Sequence, residues 1–354
     1  MGGVGPYLGL FARCGATREA VDQALANLEI HELPAARGCT YVVPASDFAV
    51  ALKAGEGFSY ESDMKVARKL GVTDKEIDKL CIGILAALKS GALEPDALKS
   101  ALGAAVRNLG EEGKKKGVTT TLPLALGRLQ EEGQIRRIPT NGRLDQQRYR
   151  YTLWQPNPTA GYKMSAEQTQ TELARRYFSW IGPATLAEYQ WFSAASMKVN
   201  KAAIEPLKLV DLGEGRLMLP ELRDAWESFQ PPKEPQIATV SSIDGIVLLR
   251  RDLLADEADL KKIATVEGAG SGLKDLPSHA IVDRGRLIGL WEYDPDSSSV
   301  AWTTFDKPTP AIRDCIARTE AYVREQLGDA RSFSLDSPKS RAPRIMALRK
   351  AAGA

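Results

Sequence analysis

Histidine and paired cysteine are scarce in this chain. Its 354 residues include two histidines, His31 and His279, and four cysteines, Cys14, Cys39, Cys81 and Cys315, with no C-x-x-C pair. The spacings of zinc or iron–sulfur ligation are therefore missing, and each cysteine reads as a small buried hydrophobe. Zinc and iron–sulfur centres are not expected of these residues. No run reaches the roughly eighteen uninterrupted apolar residues of a membrane span. The start, Met-Gly-Gly-Val-Gly-Pro-Tyr, has neither the basic nor the apolar region of a secretory signal. The expectation is a cytoplasmic protein with no membrane partner. No glycine pattern has the form of a P-loop or dinucleotide fingerprint, and Gly268 to Gly272 reads as a loop. Net charge is small too, with 47 Lys and Arg against 45 Asp and Glu.

What is present is a soluble composition, 44% hydrophobic and 26% charged, over a length that suggests two to four domains. Residues 118–154 carry the strongest pattern. Thr119, Thr120 and Thr121 stand where an N-cap belongs, and Leu122, Leu126 and Leu129 recur at helical spacing. Gly133 ends that helix. Ile135 to Ile138 and Arg148 to Trp154 read as two strands around a tight turn at Asn141-Gly142. Helix, strand, turn, strand is the pattern of a winged helix. From Arg107 to Arg150 ten basic side chains face five acidic ones, which makes this segment +5 in a chain that is +2 overall. Local positive charge beside a recognition-type helix suits phosphate contact, against the alternative of a merely solvated face. Candidate DNA contacts here are Thr119 to Thr121, Arg128, Arg136, Arg137, Arg143 and Arg148.

Two further stretches repeat the theme. Thr17 caps a helix whose inward stripe is Val21, Leu25 and Leu28, followed by strands at Ile30–Leu33 and Cys39–Val43. The front of this first module is short, as if the chain began inside it. Residues 62–116 supply helices at Ser62–Leu70, Thr73–Lys89 and Pro95–Leu109, then a charged connector. The third copy has a helix over Ser165–Trp180 with Leu173, Tyr177 and Trp180 inward, and a recognition-type helix over Ser196–Leu207 bearing Lys198 and Lys201. Its wing runs from Leu209 to Leu219. Gln168-Thr169-Gln170 opens this copy and reads as surface. Beyond Ile237, strands are expected at Ser242–Leu249, His279–Val282, Leu287–Tyr293 and Val300–Thr304, suggesting a small barrel or sheet. A helix over Pro310–Leu327 and a basic tail over Arg331–Lys350 follow. The expected architecture is α+β: winged helices over 1–60, 61–160 and 161–235, and a C-terminal small β-barrel over 236–354.

Ala36-Arg37-Gly38-Cys39-Thr40-Tyr41-Val42-Val43-Pro44 with Asp47, Arg175-Arg176-Tyr177 with Gly182-Pro183-Ala184-Thr185, and Asp283-Arg284-Gly285-Arg286-Leu287-Ile288-Gly289-Leu290-Trp291 together resemble the AlkZ-like (YcaQ-related) winged-helix DNA glycosylases. The resemblance spans nearly the whole chain. It implies tandem winged helices with a C-terminal β-barrel, duplex DNA as partner, alkylated or crosslinked DNA included, and excision of alkylated bases by a monomer without a cofactor. The family positions water with a Gln-x-Gln or Gln-x-Asp pair. Gly5-Pro6-Tyr7 stands at the matching place here, so the catalytic candidates become Tyr7 and Asp47, with Arg37 on phosphate. Asp47 has a second reading as a helix cap, and Arg37 as one half of an ion pair. The other reading of the whole is a non-catalytic DNA-binding protein, a damage sensor or transcriptional regulator. A third is a shortened gene product.

Overall fold

A computed structural model of the chain describes residues 3–145, 148–250, 254–267, 276–333 and 336–353. The expected loop at Gly268–Gly272 lies outside them. Two compact units emerge, one of residues 25–224 and one that joins residues 1–24 to 225–354. The chain opens with helix α1 (Gly5–Cys14), which has Pro6 in its first turn and ends at Gly15 with φ +67°. Proline suits that position because the amide it lacks has no helical partner anyway. Helix α2 (Arg18–Ala26) follows, with the Thr17 hydroxyl accepting from the Ala20 amide at 3.2 Å.

In the unit of residues 25–224, β1 (Ile30–Pro34) pairs with β2 (Thr40–Pro44), and α3 (Phe48–Gly55) packs on them. Next come α4 (Phe58–Arg68), α5 (Asp74–Ala87), α6 (Pro95–Leu102) and α7 (Gly110–Lys115). The helix expected over 95–109 therefore stops at Leu102, where Gly103 takes φ +53°. The charged connector instead folds as α7. Helix α8 (Leu122–Glu131) buries Leu122, Leu126 and Leu129 as its spacing requires, against Ile77, Leu80 and Ile84 of α5. Gly133 takes φ +66°, and β3 (Ile135–Pro139) and β4 (Tyr149–Leu153) form an antiparallel pair. The ladder closes at Pro139 opposite Tyr149, so Asn141-Gly142 belongs to a long loop rather than a two-residue turn. Gly142 does take the left-handed conformation expected of it, at φ +75°.

Helix α9 (Ala166–Ile181) begins with a capping box in which Gln168 Oε1 accepts from the Ser165 amide at 2.8 Å. That explains Gln168 structurally. Leu173, Tyr177 and Ile181 form the inward stripe, at steps of four, so Ile181 takes the place expected of Trp180 and Trp180 is 55% exposed. Short β5 (Ala184–Thr185), α10 (Leu186–Ser193), α11 (Met197–Ile204), β6 (Val210–Asp211) and β7 (Arg216–Met218) complete the unit, the three strands ordered β5-β7-β6.

After α12 (Arg223–Ser228) comes β8 (Ile237–Val240). Ser242 to Leu249, expected as a strand, turns into helix α13 (Gly245–Leu249), because the Asp244 side chain caps it by accepting from the Ile246 amide at 2.9 Å. Then follow α14 (Glu257–Glu267), β9 (His279–Asp283), β10 (Arg286–Asp294), β11 (Ser299–Thr304), α15 (Pro310–Tyr322) and α16 (Pro338–Ala351). The motif Asp283-Arg284-Gly285-Arg286 is the β9–β10 turn, with φ of +46° and +83° at its two central residues. The expected barrel is corrected. Among the described residues β11-β10-β9-β8 is an open antiparallel sheet, with β8 and β11 at its edges. A core of Leu287, Leu290, Ala280, Ile263, Ile345 and Leu348 fills the space between this sheet and α14 and α16. Closure is not needed to bury that face, because the helices cover it.

Gly289 stands where β10 shifts register against β9, and a Cβ there would lie 2.3 Å from the Thr303 carbonyl oxygen. Gly289→Ala is therefore expected to destabilise the protein by about 1–3 kcal/mol. A lower urea midpoint at unchanged slope would show it.

Candidate nucleic-acid interface

The positive charge of residues 107–150 is smaller at the surface than the sequence implies. Of its ten basic side chains, seven are in ion pairs: Arg107 with Glu76, Lys114 with Glu111, Lys115 and Lys116 with Glu112, Arg128 with Asp78 and Glu132, Arg137 with Glu32, and Arg143 with Asp145. Among the described residues, Arg136, Arg148 and Arg150 remain without a carboxylate. Register explains what they share. Arg136 lies opposite Thr152 and Ile138 opposite Arg150, while the Thr140 amide bonds the Arg148 carbonyl at 2.9 Å. Side chains alternate faces along a strand, so Arg136, Arg148 and Arg150 share one face of the hairpin. Ile135, Tyr151 and Leu153 occupy the other and pack on the core. Arg148 and Arg150 are exposed. Arg136 is half-buried, and partial removal from water lowers its pKa, a cost that an anion laid on this face would relieve.

Arg137 points to the inner face, with its guanidinium 4.7 Å from the Tyr149 ring centre and 3.5 Å from Glu32. His31 is buried behind this pair, and its pKa falls to about 3 through burial and then the charges of Arg136 and Arg137. It stays neutral near pH 7.

Arg128, a candidate phosphate contact, is held in ion pairs. It lies at an open concavity of about 340 Å³ whose lining includes Glu56, Asp74, Asp78, Glu131 and Glu132. Its guanidinium holds Asp78 at 2.5 Å and Glu132 at 2.8 Å, so a phosphate there meets carboxylates. The expected threonine cap is also corrected. Thr121 is fully buried and its hydroxyl accepts from the Arg107 amide at 3.1 Å, while Thr119 and Thr120 pair through the backbone with residues 108–109. Lys198 and Lys201 are exposed on one side of α11, one helical turn apart.

Arg37 caps the β1–β2 turn at φ +62°, a left-handed conformation unfavourable for a side chain of its size. Its guanidinium lies 4.1 Å from the centre of the Trp191 ring. Gly38 follows at φ +65°, where a Cβ would strike the Ser59 hydroxyl at 2.3 Å. Beside this turn is an apolar cleft with about 60 Å³ of enclosed space, walled by Tyr41, Val43, Leu173, Trp180 and Phe192. Asp47 and Arg176 face each other in its lining, Oδ2 to Nη1 at 2.5 Å, and Ser46 donates to the other Asp47 oxygen at 2.8 Å. Asp47 occupies the N-cap position of α3 without making a side-chain cap bond. Burial pushes the Tyr41 phenol up to about 12. Sequence reasoning missed Arg150, Trp191 and Trp180 as site residues. The arginine lies in the charge count, but the two tryptophans give no local signal.

Tyr7 lies in the other unit. It is fully buried, and its hydroxyl donates to Asp22 at 2.5 Å, while Arg18 holds the second Asp22 oxygen at 2.6 Å. A Cβ on Gly5 would face Ile243 at 3.4 Å and the Ser241 hydroxyl at 3.8 Å. Arg13 grips Asp244 with two hydrogen bonds of 2.7 and 2.9 Å, so Asp244 both caps α13 and pins α1. No carboxamide or carboxylate is carried at positions 5 to 7. No helix of the described residues is long and apolar enough to cross a membrane.

No curated protein matches the chain. Among solved structures it is similar to the Streptomyces sahachiroi DNA glycosylase AlkZ, with 19% identity, a TM-score of 0.59, and coverage of 88% of this chain and 83% of that one. At that identity the likeness speaks for a shared mixed α/β fold. The family described as DNA glycosylase AlkZ-like matches residues 5–333. On that span, the chain belongs to the AlkZ-like DNA glycosylase family.

Proposed function

We propose that this protein binds duplex DNA as a monomer and excises alkylated bases by hydrolysing the N-glycosidic bond. Family membership over residues 5–333 carries the reading. Three stretches in which a helix leads into an antiparallel pair support it and are read as winged helices: α2 with β1–β2, α8 with β3–β4, and α11 with β6–β7. So does the hairpin face of Arg136, Arg148 and Arg150, three cations that form no ion pair among the described residues. Alkylation leaves a purine ring cationic and makes it a good leaving group. What remains for the enzyme is to hold water and steady a cationic sugar, work suited to a fixed negative group. Asp47, oriented by Arg176 and Ser46, is assigned that role, and Tyr7 is assigned the positioning of α1 through Asp22. The DNA-contacting set is Arg37, Arg136, Arg148, Arg150, Lys198 and Lys201. The four-part division at residues 60, 160 and 235 belongs to the same reading.

A second reading is favoured by one observation, that Gly5 and Tyr7 stand where a glutamine pair is expected. It makes the protein a damage sensor or regulator that binds without cutting. Incubation with alkylated duplex followed by alkaline cleavage separates the two. Strand breaks above the buffer control, reduced in Asp47→Asn with duplex affinity kept, are the expected result. Intact strands with binding preserved would move the assignment to the sensor.

A further inference from the structure

We infer that Glu32 of β1 is a positioning residue for duplex binding, a strut that holds the loop end of the β3–β4 hairpin so that Arg148 and Arg150 stay aimed outward together. The inference rests on the proposed contact of this hairpin with DNA and adds the residue that aligns it. Glu32 is only 7% exposed, in a strand where His31, Glu32 and Leu33 are buried in succession. A carboxylate in that place is destabilising unless something pairs it. Two of its bonds cross to the hairpin. Arg137 Nη2 lies 3.5 Å from Glu32 Oε2, and the Tyr149 hydroxyl donates to the same oxygen at 3.2 Å.

The inner face of the hairpin changes character along its length. At the base, Ile135 and Leu153 pair across the ladder and pack on the helical core. Trp154, just beyond, stands edge to face with His31 at 5.0 Å and with Phe48 at 5.3 Å. Toward the loop, Arg137 and Tyr149 take over that face, and the polar hold there is the Glu32 oxygen. Burial, and then the Glu32 charge, raise the pKa of the Tyr149 phenol, so its hydroxyl keeps the proton that it donates. Tyr149 sits between Arg148 and Arg150 in the chain, and alternation along the strand turns those two to the other face. Fixing Tyr149 inward therefore fixes both arginines outward. Arg136, opposite Thr152 and nearer the base, depends on Glu32 less. The same β1 strand runs into the turn that carries Arg37, so one strand aligns two sets of proposed contacts.

Charge alone predicts the opposite sign. Removing a carboxylate from beneath a basic hairpin raises the local positive charge and would strengthen duplex binding, whereas a positioning role requires it to weaken. Fluorescence anisotropy of the full chain with a labelled, undamaged duplex across a salt series reads affinity and slope together. Glu32→Ala is expected to lower the slope by about 0.9 to 1.8, the share of one or two phosphate contacts, and the affinity at 0.1 M salt by roughly eight- to sixtyfold. Glu32→Gln keeps an oxygen that can accept both bonds and should stay near wild type. Tyr149→Phe removes one hydroxyl and no charge, and should fall between the two; it carries the test if urea unfolding shows Glu32→Ala to be unfolded. Asp78→Ala, which takes a carboxylate from Arg128 instead, should bind no more weakly than wild type. Wild-type or tighter affinity in folded Glu32→Ala, or in Tyr149→Phe, would overturn the inference. So would a loss in Glu32→Gln or Asp78→Ala equal to that in Glu32→Ala. A wild type that binds no duplex would remove the DNA-binding reading itself, and the inference with it.

Discussion

Replacing Arg136, Arg148 and Arg150 together by alanine is expected to lower duplex affinity several hundredfold at 0.1 M salt. Each phosphate neutralised releases counterions worth about 0.9 in the slope of log affinity against log salt. Three contacts thus contribute about 2.7 to the slope, and over the decade from 1 M to 0.1 M about 2.7 decades of affinity. The paired arginines behave differently. Arg128 is held by two carboxylates and Arg143 by Asp145, so neither can neutralise a phosphate without abandoning a partner. Alanine at either should leave the salt slope as it is. Fluorescence anisotropy with labelled duplex across a salt series checks both halves. Equal losses at Arg128 and Arg136 would remove the distinction between paired and unpaired arginines.

The second large effect is on stability. Arg344→Ala is expected to destabilise the protein by about 3–5 kcal/mol, because it leaves two buried carboxylates without their shared cation. Arg344 bonds Glu292 at 2.8 Å and Asp336 at 2.6 Å, and those side chains are only 1% and 3% exposed. Even in the native protein, burial lifts the Glu292 carboxyl from 4.5 to about 7, with Arg344 opposing. The folded state therefore holds that proton more tightly than the unfolded chain does. Its contribution to stability is full below about pH 4.5 and is lost as pH rises through 7, a change of up to about 3 kcal/mol. Glu292→Gln should flatten this part of the profile, and Arg344→Ala should steepen it. Urea unfolding at pH 5 and pH 8 measures both. A wild-type midpoint that does not fall between those values would contradict the assignment.

The parts of this fold that sequence made legible are those governed by local rules. The stripe Leu122, Leu126, Leu129 marked α8, and Gly133 marked its end, because helix periodicity and a left-handed stop are written within a dozen residues. Ser242 to Leu249 looked like a strand because Ile246, Val247, Leu248 and Leu249 are apolar and Ile246 and Val247 β-branched. It folds as a helix because Asp244 caps it, a single hydrogen bond outweighing weak strand propensity. Asn141-Gly142 signalled a turn and not its length, since the ladder partner of Pro139 is Tyr149.

The candidate site was legible as charge and not as free charge. Nothing near Arg128 announces Asp78, fifty positions away, nor does the sequence join Arg137 to Glu32. The same is true of the basic tail, where Arg341, Arg344 and Arg349 are tied to Asp329, Glu292, Asp336 and Asp294. Which cations are left for phosphate is a property of tertiary pairing. Cysteine shows the same limit, since Cys81 and Cys315 are buried as expected but Cys14 is exposed at the end of α1.

The most direct measurement is arginine-selective modification by phenylglyoxal, read by peptide mass spectrometry with and without duplex DNA at low salt. Arg136, Arg148 and Arg150 should lose reactivity when duplex is bound, while Arg128 and Arg143 keep theirs. Protection of Arg128 and Arg143, with the hairpin arginines still reactive, would contradict the assignment of the β3–β4 face to DNA.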